Sequence, residues 1–412
     1  MAPDEHPLSV TPRVLIIVEN LPVPLDRRVW QEAKLLAGNG YRVTVICPAT
    51  HGFDAREEML EGVRILRHPL PLEASGVIGF VAEYGAALFG EMRLALKVAL
   101  GPGFDVIQAC NPPDLIFLVA MLFKPFGKRF VFDHHDPFPE LFAIKFPGRR
   151  FMHRLTLLAE RLTFRLADRV VTTSECLRRI AVERGGVASR NVTLVRSGID
   201  LAKVPPGITA DPALREDRRY LVLYIGVIGS QDGVDYFVRA AAEMREHGRR
   251  DALFIVCGDG PALSGVKDLA QELGVADDFR FPGFVHGADF FRYLASADVG
   301  VCPDPKNDFN DKLTMNKIVE YMAFGVPAVS FDLDESRLIA GEAASFVPSG
   351  NPAAMAEGIA ALLDDPERRR RMGEEGKRRV AEGLAWEQQA QSYLGVYDEL
   401  FGRRRGDGQC AA

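Results

Sequence analysis

Short β-branched runs alternate with stretches of helical period along almost the whole chain, and the alternation restarts near its middle. These two observations predict an α/β protein built of two doubly wound, Rossmann-like parallel sheets in succession. A third supports them: the runs are almost continuously apolar, as strands covered by helices on both faces must be. At 412 residues the chain is long enough for two such domains.

Taken in order, strands are expected at 13–19, 42–48, 63–68, 105–110, 129–133, 169–173 and 192–195, then at 220–228, 253–257, 279–282, 299–302, 328–331 and 345–348. The segment 201–219 holds Pro205, Pro206, Gly207 and Pro212 without periodicity and reads as the linker. The expected domains are therefore 1–204 and 205–385. Residues 386–402 form an amphipathic helix, with Ala390, Tyr393, Leu394, Tyr397 and Leu400 at helical spacing, that crosses back to the first domain. A polar tail, 403–412, is expected to be disordered. The dense charge run 367–379 reads as a solvated helix face.

Composition narrows the function. Apolar residues make up 47% and charged residues 26%, which excludes a disordered or collagen-like chain. Fifty Lys and Arg against 56 Asp and Glu leave a net charge of -6, which argues against nucleic-acid binding. The six cysteines are scattered without a CxxC pair and read as buried thiols rather than a zinc site. Residues 1–12 lack an apolar signal core, and Glu83, Glu91, Arg93 and Lys97 interrupt the most apolar window, 76–101, so a cytoplasmic protein without a membrane span is expected.

Two open sheets facing each other bind ligands at the carboxyl ends of their strands, in a central cleft. The loops that follow those strands carry the candidate chemistry. In 302–325 a polar loop leads into a helix expected from near Thr314 to Gly325. Spacing puts Asn316, Lys317 and Glu320 on one face of it. Lys312 and Lys317 near a helix N-terminus suit a phosphate, since free N–H groups, dipole and cations all favour an anion. An intrahelical Lys317–Glu320 pair on a solvated face is the plainer alternative. In the first half, Asp26 is expected to cap a helix whose first turn holds Arg27 and Arg28, cations that oppose the helix dipole unless an anion offsets them. His134, His135 and Asp136 follow the apolar strand 129–133 and should protrude, but neighbours in an extended loop point apart, so no metal site is expected there. Asp332-Leu-Asp334 resembles a metal-binding DxD, yet it directly follows a strand of the second domain, and metal is not expected there either. Residues 142–165 interleave aromatic and aliphatic side chains with Lys145, Arg149, Arg150, Arg154, Arg161 and Arg165, a pattern suited to an anionic membrane surface or to an ordinary solvated helix.

The stretch from Asp311 to Pro327 resembles the donor-binding motif of GT-B fold glycosyltransferases, in particular the large retaining family four. An ordered set of further motifs strengthens the resemblance: 26–43, Asn111-Pro-Pro-Asp114, Asp133-His-His-Asp136, 167–175, Gly198-Ile-Asp200, Tyr224-Ile-Gly226, Gly258-Asp-Gly-Pro261 and Ala297-Asp298. The resemblance implies a GT-B fold and transfer of a sugar from a nucleotide diphosphate-sugar to a hydroxyl of a glycan or lipid-linked acceptor, with retention, without metal and without a resident cofactor. It implies that Glu320 binds the nucleotide ribose, that Gly226, Gly229 and Gly258 line the donor loops, and that His135 or Asp136 meets a sugar hydroxyl. Asn111, Arg27 and Arg28 fall on the acceptor or phosphate side. Three departures stand out. Lys312 occupies the position of the first glutamate of the family's Glu-x7-Glu motif, with Asp311 beside it. Val227 and Asp232 stand about where the family's phosphate-binding Arg and Lys would be, which leaves Lys312, Lys317 and Arg337 as available cations. The first loop has Leu21-Pro-Val-Pro24 in place of a glycine pair. His135, Lys317 and Lys312 are accordingly expected in catalysis, and Glu320, Asn316, Asp311 and Arg337 in donor binding. Expected partners are the nucleotide-sugar donor, the glycan or lipid-linked acceptor, and a membrane surface met through 142–165. Two alternatives remain at this stage: a nucleotide-sugar epimerase of the same fold, and a non-catalytic GT-B partner of another transferase.

Overall fold

The computed structural model describes residues 11–70 and 76–403. The expected disordered tail falls, beyond Arg403, outside the described residues. The chain divides into two compact units, one reaching Val195 and resuming at Ala390, the other running from Arg196 to Gln389. Residues 196–204, assigned by the Pro-rich linker to the first half, thus fold with the second.

In the first unit β1 (Arg13–Val18), β2 (Arg42–Ala49), β3 (Glu57–Leu60), β4 (Val63–Pro69), β5 (Val106–Cys110), β6 (Arg129–His134), β7 (Arg169–Thr172) and β8 (Val192–Leu194) form one sheet in the order β3-β4-β2-β1-β5-β6-β7-β8. All neighbours are parallel except β3, which pairs antiparallel with β4. β3 has no β-branched residue and escapes the sequence pattern. It forms because Glu61 and Gly62 both take positive φ, 46° and 81°, the two-residue turn that matches strand twist.

In the second unit β9 (Tyr220–Ile225), β10 (Ala252–Cys257), β11 (Phe279–Gly283), β12 (Val299–Cys302), β13 (Ala328–Phe331) and β14 (Ala344–Val347) pair in the order β11-β10-β9-β12-β13-β14, parallel throughout. Alternate residues of β9 enter different cores: Tyr220, Val222 and Tyr224 pack on one face, and Leu221, Leu223 and Ile225 on the other. That is why the strand reads as a continuous apolar run.

The order of connection reverses between β1 and β5 in the first sheet and between β9 and β12 in the second. Helices leave on opposite faces at such a switch point, which opens a crevice beyond the carboxyl ends of the strands. The loops after β1, β5 and β6, and those after β9, β10 and β12, are therefore where ligand chemistry is to be sought.

Two helical expectations are revised. The stretch 142–165 is two helices, Phe138–Lys145 and Arg150–Leu166, broken at Pro147 and Gly148, where Gly148 takes φ 82°. The helix expected from Thr314 starts at Asn316, with Met315 as an N-cap that offers no side-chain oxygen, and it stops at Gly325, whose φ of 71° terminates it.

Candidate active site

In the second unit, β9 ends at Ile225 and the chain turns at Gly226, beside the turn that follows β10 at Gly258. A Cβ on Gly258 would lie 1.9 Å from the Gly226 carbonyl oxygen, and both glycines have positive φ, 147° and 154°. Only glycine permits two loops to lie this close. The loops are stitched by Gly226 N donating to Cys257 O at 3.1 Å and by Ile228 N donating to Asp259 O at 2.9 Å. The Gly229 N–H donates to Asp232 Oδ2 at 2.8 Å.

Lys317 runs beneath this floor. Its Cε lies 3.3 Å from where a Gly226 Cβ would stand, and its Nζ donates to Asp304 Oδ1 at 2.7 Å and Oδ2 at 2.9 Å. The ammonium also lies 5.0 Å from the centre of the Tyr224 ring. Both members of the pair are buried. Burial by itself would push the Lys317 pKa down, but Asp304 and its neighbours override it, so the ammonium is held more firmly than usual. Burial pushes the Asp232 carboxyl up to about 6, with Lys317 opposing the shift and Asp304 adding to it.

The helical spacing that groups Asn316, Lys317 and Glu320 on one face is only partly realised. Lys317 turns inward to Asp304, thirteen positions upstream, while Asn316 is exposed and Glu320 half-buried. The plainer reading, Lys317 on a solvated face, is overturned by its burial. Lys312 ends the short turn Asn310–Lys312 and is half-buried. Asp311 Oδ1 accepts from Asp334 N at 2.8 Å and pairs with Lys306 at 3.2 Å. Arg337, expected as a phosphate cation, is exposed and bound by Asp332, with Nη2 to Oδ2 at 2.8 Å, above the Phe346 ring. Asp334 pairs with Lys306 at 2.9 Å. Both acids of the DxD-like motif thus already hold cations.

In the first unit, Asp26 caps the helix Arg27–Gly38 as expected, its Oδ1 accepting from Val29 N at 3.0 Å. Arg27 is exposed. Arg28 is buried, and carboxyls of its own unit offset it: its Nη2 meets Asp133 Oδ1 at 2.9 Å and Glu32 Oε1 at 3.0 Å, and its Nη1 donates to Val195 O at 2.8 Å. His135 Nε2 lies 2.8 Å from Asp133 Oδ2 and 3.0 Å from Arg28 Nε. Arg28 Nε can only donate and the Asp133 carboxylate can only accept, so both grip the ring at Nε2 and leave its Nδ1 edge outside the cluster. Burial would raise Asp133, but Arg28 and then His135 override it and hold it well below the usual carboxylate range. Burial raises Glu32 well above that range against the pull of Arg28. The buried cluster therefore sets one guanidinium against two carboxyls, of which Glu32 is the one that holds a proton more readily.

Asn111 ties the loops after β5 and β6 together: its Oδ1 accepts from His135 N at 2.6 Å and its Nδ2 donates to Asp136 O at 2.7 Å and Asp114 Oδ1 at 2.9 Å. Burial pushes the Asp136 carboxyl up to about 6. His134 points away from His135, stacked 5.3 Å from Phe132 and edge-on to Phe164, and burial drives its pKa down to about 3. Cys110, Asp133 and His135 each offer an atom within 4.8 Å of the others. The set does not suit a metal ion, because the Arg28 guanidinium already occupies Asp133 and burial keeps the Cys110 thiol protonated.

Several residues of these clusters carry no motif. Asp304 and Gln108 look like ordinary polar positions in the sequence and emerge only from who faces whom, as does the role of Glu32 within 26–43. Glu91 had a signal, an acid inside the apolar helix Gly76–Leu100. It is buried near Glu19, each with an unpartnered carboxyl oxygen, and burial pushes Glu91 up to about 8. Burial and Glu91 raise Glu19 to about 10. The folded chain then keeps protons that the unfolded chain releases, so stability falls as pH rises from 4.5 to about 8. Glu91→Gln should flatten that fall, read as urea midpoints at about pH 5 and pH 8.5; an unchanged slope contradicts the assignment.

Comparison with known proteins agrees with the fold. Residues 25–203 match the model of the Glycosyltransferase Family 4 domain, and residues 219–365 that of Glycosyl transferases group 1. A D-inositol 3-phosphate glycosyltransferase of Thermomonospora curvata is 30% identical over 393 residues, 89% of this chain and 88% of its own. An α-D-kanosaminyltransferase of Streptomyces kanamyceticus is 31% identical over 186 residues, 45% of this chain and about half, 47%, of that relative's length. Among solved structures, a sucrose-phosphate synthase of Thermosynechococcus elongatus superposes with a TM-score of 0.78 at 19% identity, covering 95% of this chain and 99% of that one. HepE of Anabaena, solved with UDP and glucose, gives 0.69 at 16% identity over 95% and 99%. With two parallel sheets, glycine-floored loops at the switch point of the second and family matches across both halves, the chain belongs to the family 4, group 1 glycosyltransferases of GT-B fold.

Proposed function

We propose that the enzyme transfers a sugar from a nucleotide diphosphate-sugar to a hydroxyl acceptor, with retention and without a divalent metal. The observation that carries this reading is Lys317, a buried ammonium beneath the loops after β9 and β10, in the place left by the family's missing phosphate cations. Two of its three N–H groups serve Asp304, and the ammonium keeps its charge beneath the glycine loops, where its field reaches an anion lying on them. Charge that develops on the leaving diphosphate would meet this ammonium and the backbone N–H groups of the glycine loops, in surroundings where neither must reorganise. Lys312 extends the cationic side, while Asn316 and Glu320 bind the ribose. Arg337, exposed and paired with Asp332, stays in the proposed donor set as a surface cation.

In the first unit, His135 meets a hydroxyl through its Nδ1 edge, with Asp133 and Arg28 holding the ring at Nε2. Asp136, with a carboxyl pushed to about 6, lies on the next residue for a second hydroxyl. The acceptor then attacks on the face the diphosphate leaves, and the diphosphate takes the acceptor proton. HepE, whose structure was solved with UDP and glucose, makes a nucleoside diphosphate the natural probe. Purified protein incubated with a panel of nucleotide-sugars should release nucleoside diphosphate only when an acceptor hydroxyl is supplied, in EDTA, with the product keeping the donor's anomeric configuration by NMR. Turnover to free epimer, or none with any donor, overturns the reading.

A lipid-bound acceptor is favoured by a surface feature. On the helix Arg150–Leu166, Phe151, Leu155 and Leu158 are exposed at i, i+4 and i+7 beside exposed Arg150, Arg154, Arg161 and Arg165, and exposed Met121, Leu122 and Phe126 belong to the adjoining segment. Among the described residues no helix is long and apolar enough to cross a membrane. Such a face binds anionic headgroups while its apolar side chains enter the interface. Co-sedimentation with phosphatidylglycerol vesicles should be lost in Phe151→Ser/Leu158→Ser and weakened by salt; equal sedimentation of wild type and variant contradicts it.

A further inference from the structure

Gln108, in the middle of β5, is fully buried and uses every hydrogen-bonding position of its amide. Its Nε2 donates to Glu32 Oε2 at 2.7 Å and to Asp133 Oδ2 at 3.1 Å. Its Oε1 accepts from the hydroxyl of Tyr393 at 2.5 Å and from that of Tyr397. The two tyrosines are fully buried on the C-terminal helix Trp386–Phe401. Burial raises both phenols well above their ordinary value, so they remain donors at any working pH. A flipped amide would set its oxygen against Asp133, a carboxylate that can only accept, whereas the tyrosine hydroxyls can donate or accept. Asp133 therefore decides which way Gln108 points, and the tyrosines, donating to Oε1, hold the amide in that place.

Asp133 Oδ2 takes both the Gln108 amide and His135 Nε2, while Oδ1 takes Arg28. We infer that Gln108, Tyr393 and Tyr397 are positioning residues for the transfer reaction: through Asp133 they fix the ring orientation of His135, which makes the C-terminal helix part of the catalytic apparatus. None of the three touches substrate. The inference rests on the role of His135 given above.

Gln108→Glu separates positioning from packing. The carboxyl it introduces can, while protonated, accept from the tyrosines and donate to Asp133 or Glu32, as the amide does; once ionised it cannot donate. The groups that face it are Glu32, Asp133 and Cys110 with Arg28 behind them, and Tyr393 and Tyr397 from the helix. The variant should keep near wild-type kcat at acidic pH and lose about tenfold or more as pH rises and the carboxyl ionises, with donor KM unchanged. Gln108→Leu should be low at every pH, and Tyr393→Phe/Tyr397→Phe, which leaves the buried amide oxygen without its two donors, should fall in kcat without a matching change in donor KM. Wild-type kcat and pH profile in Gln108→Glu and in the double tyrosine variant, both folded by circular dichroism, overturn the inference. His135→Ala is measured alongside: if it keeps wild-type kcat the role of His135 fails, and if it is inactive while the Gln108 and tyrosine variants behave as wild type, only the positioning role fails.

Discussion

Lys317→Met should be the most damaging single change to turnover, lowering kcat by about a hundredfold or more, because it removes the buried cation assigned to the leaving diphosphate. It should also destabilise the protein by about 3–5 kcal/mol, since Asp304 would be left buried without its partner. A solvated lysine would have predicted an unmoved melting temperature; the burial of the pair reverses that expectation. Stability and catalysis can be separated. In Lys317→Met/Asp304→Asn the orphaned charge is gone, so the melting temperature should recover most of its loss while kcat stays low. Recovery of both would make the pair structural, and recovery of neither would point to a misfolded loop.

Arg28→Met should have the largest effect on stability in the first unit, again about 3–5 kcal/mol near pH 7, because Asp133 is ionised and fully buried. The pH dependence gives a sharper signature. In the wild type the Arg28–Asp133 pair contributes its stability above the ordinary carboxylate range, and that contribution is lost as pH falls through the depressed folded pKa of Asp133. Without Arg28, Asp133 is an unpaired buried carboxyl and takes up a proton on folding. The variant should therefore gain stability between about pH 7 and pH 5, where the wild type does not gain from this group. Urea midpoints at both pH values decide it, and parallel slopes for the two proteins count against the cluster. Activity should fall with stability, because Arg28 and Asp133 together frame His135.

Much of this architecture is legible in the chain. Continuous apolar runs such as Tyr220–Ile225 and Val299–Cys302 announce strands covered on both faces, and Gly226, Gly258 and Gly325 announce turns that only positive φ can make. Strand β3 is not legible, because its pairing comes from the turn at Glu61 and Gly62 and not from its own side chains. The site is half legible. A motif points to Lys317, but its partner Asp304 lies at the end of another strand, and periodicity on one helix carries no information about what faces it. Arg28 looks like a surface cation at a helix start; it is buried because β6 brings Asp133 to it and the same helix brings Glu32 one turn on. Gln108 cannot be picked out of β5 at all without the helix that reaches it from the far end of the sequence.

The central claim is that Lys317 replaces the family's missing phosphate cations. Calorimetric titration of a nucleoside diphosphate into wild type and into Lys317→Met/Asp304→Asn, both in EDTA, tests it most directly. Binding by the wild type that weakens by about tenfold or more in the folded double variant is the predicted result; equal affinity in the two proteins would contradict it.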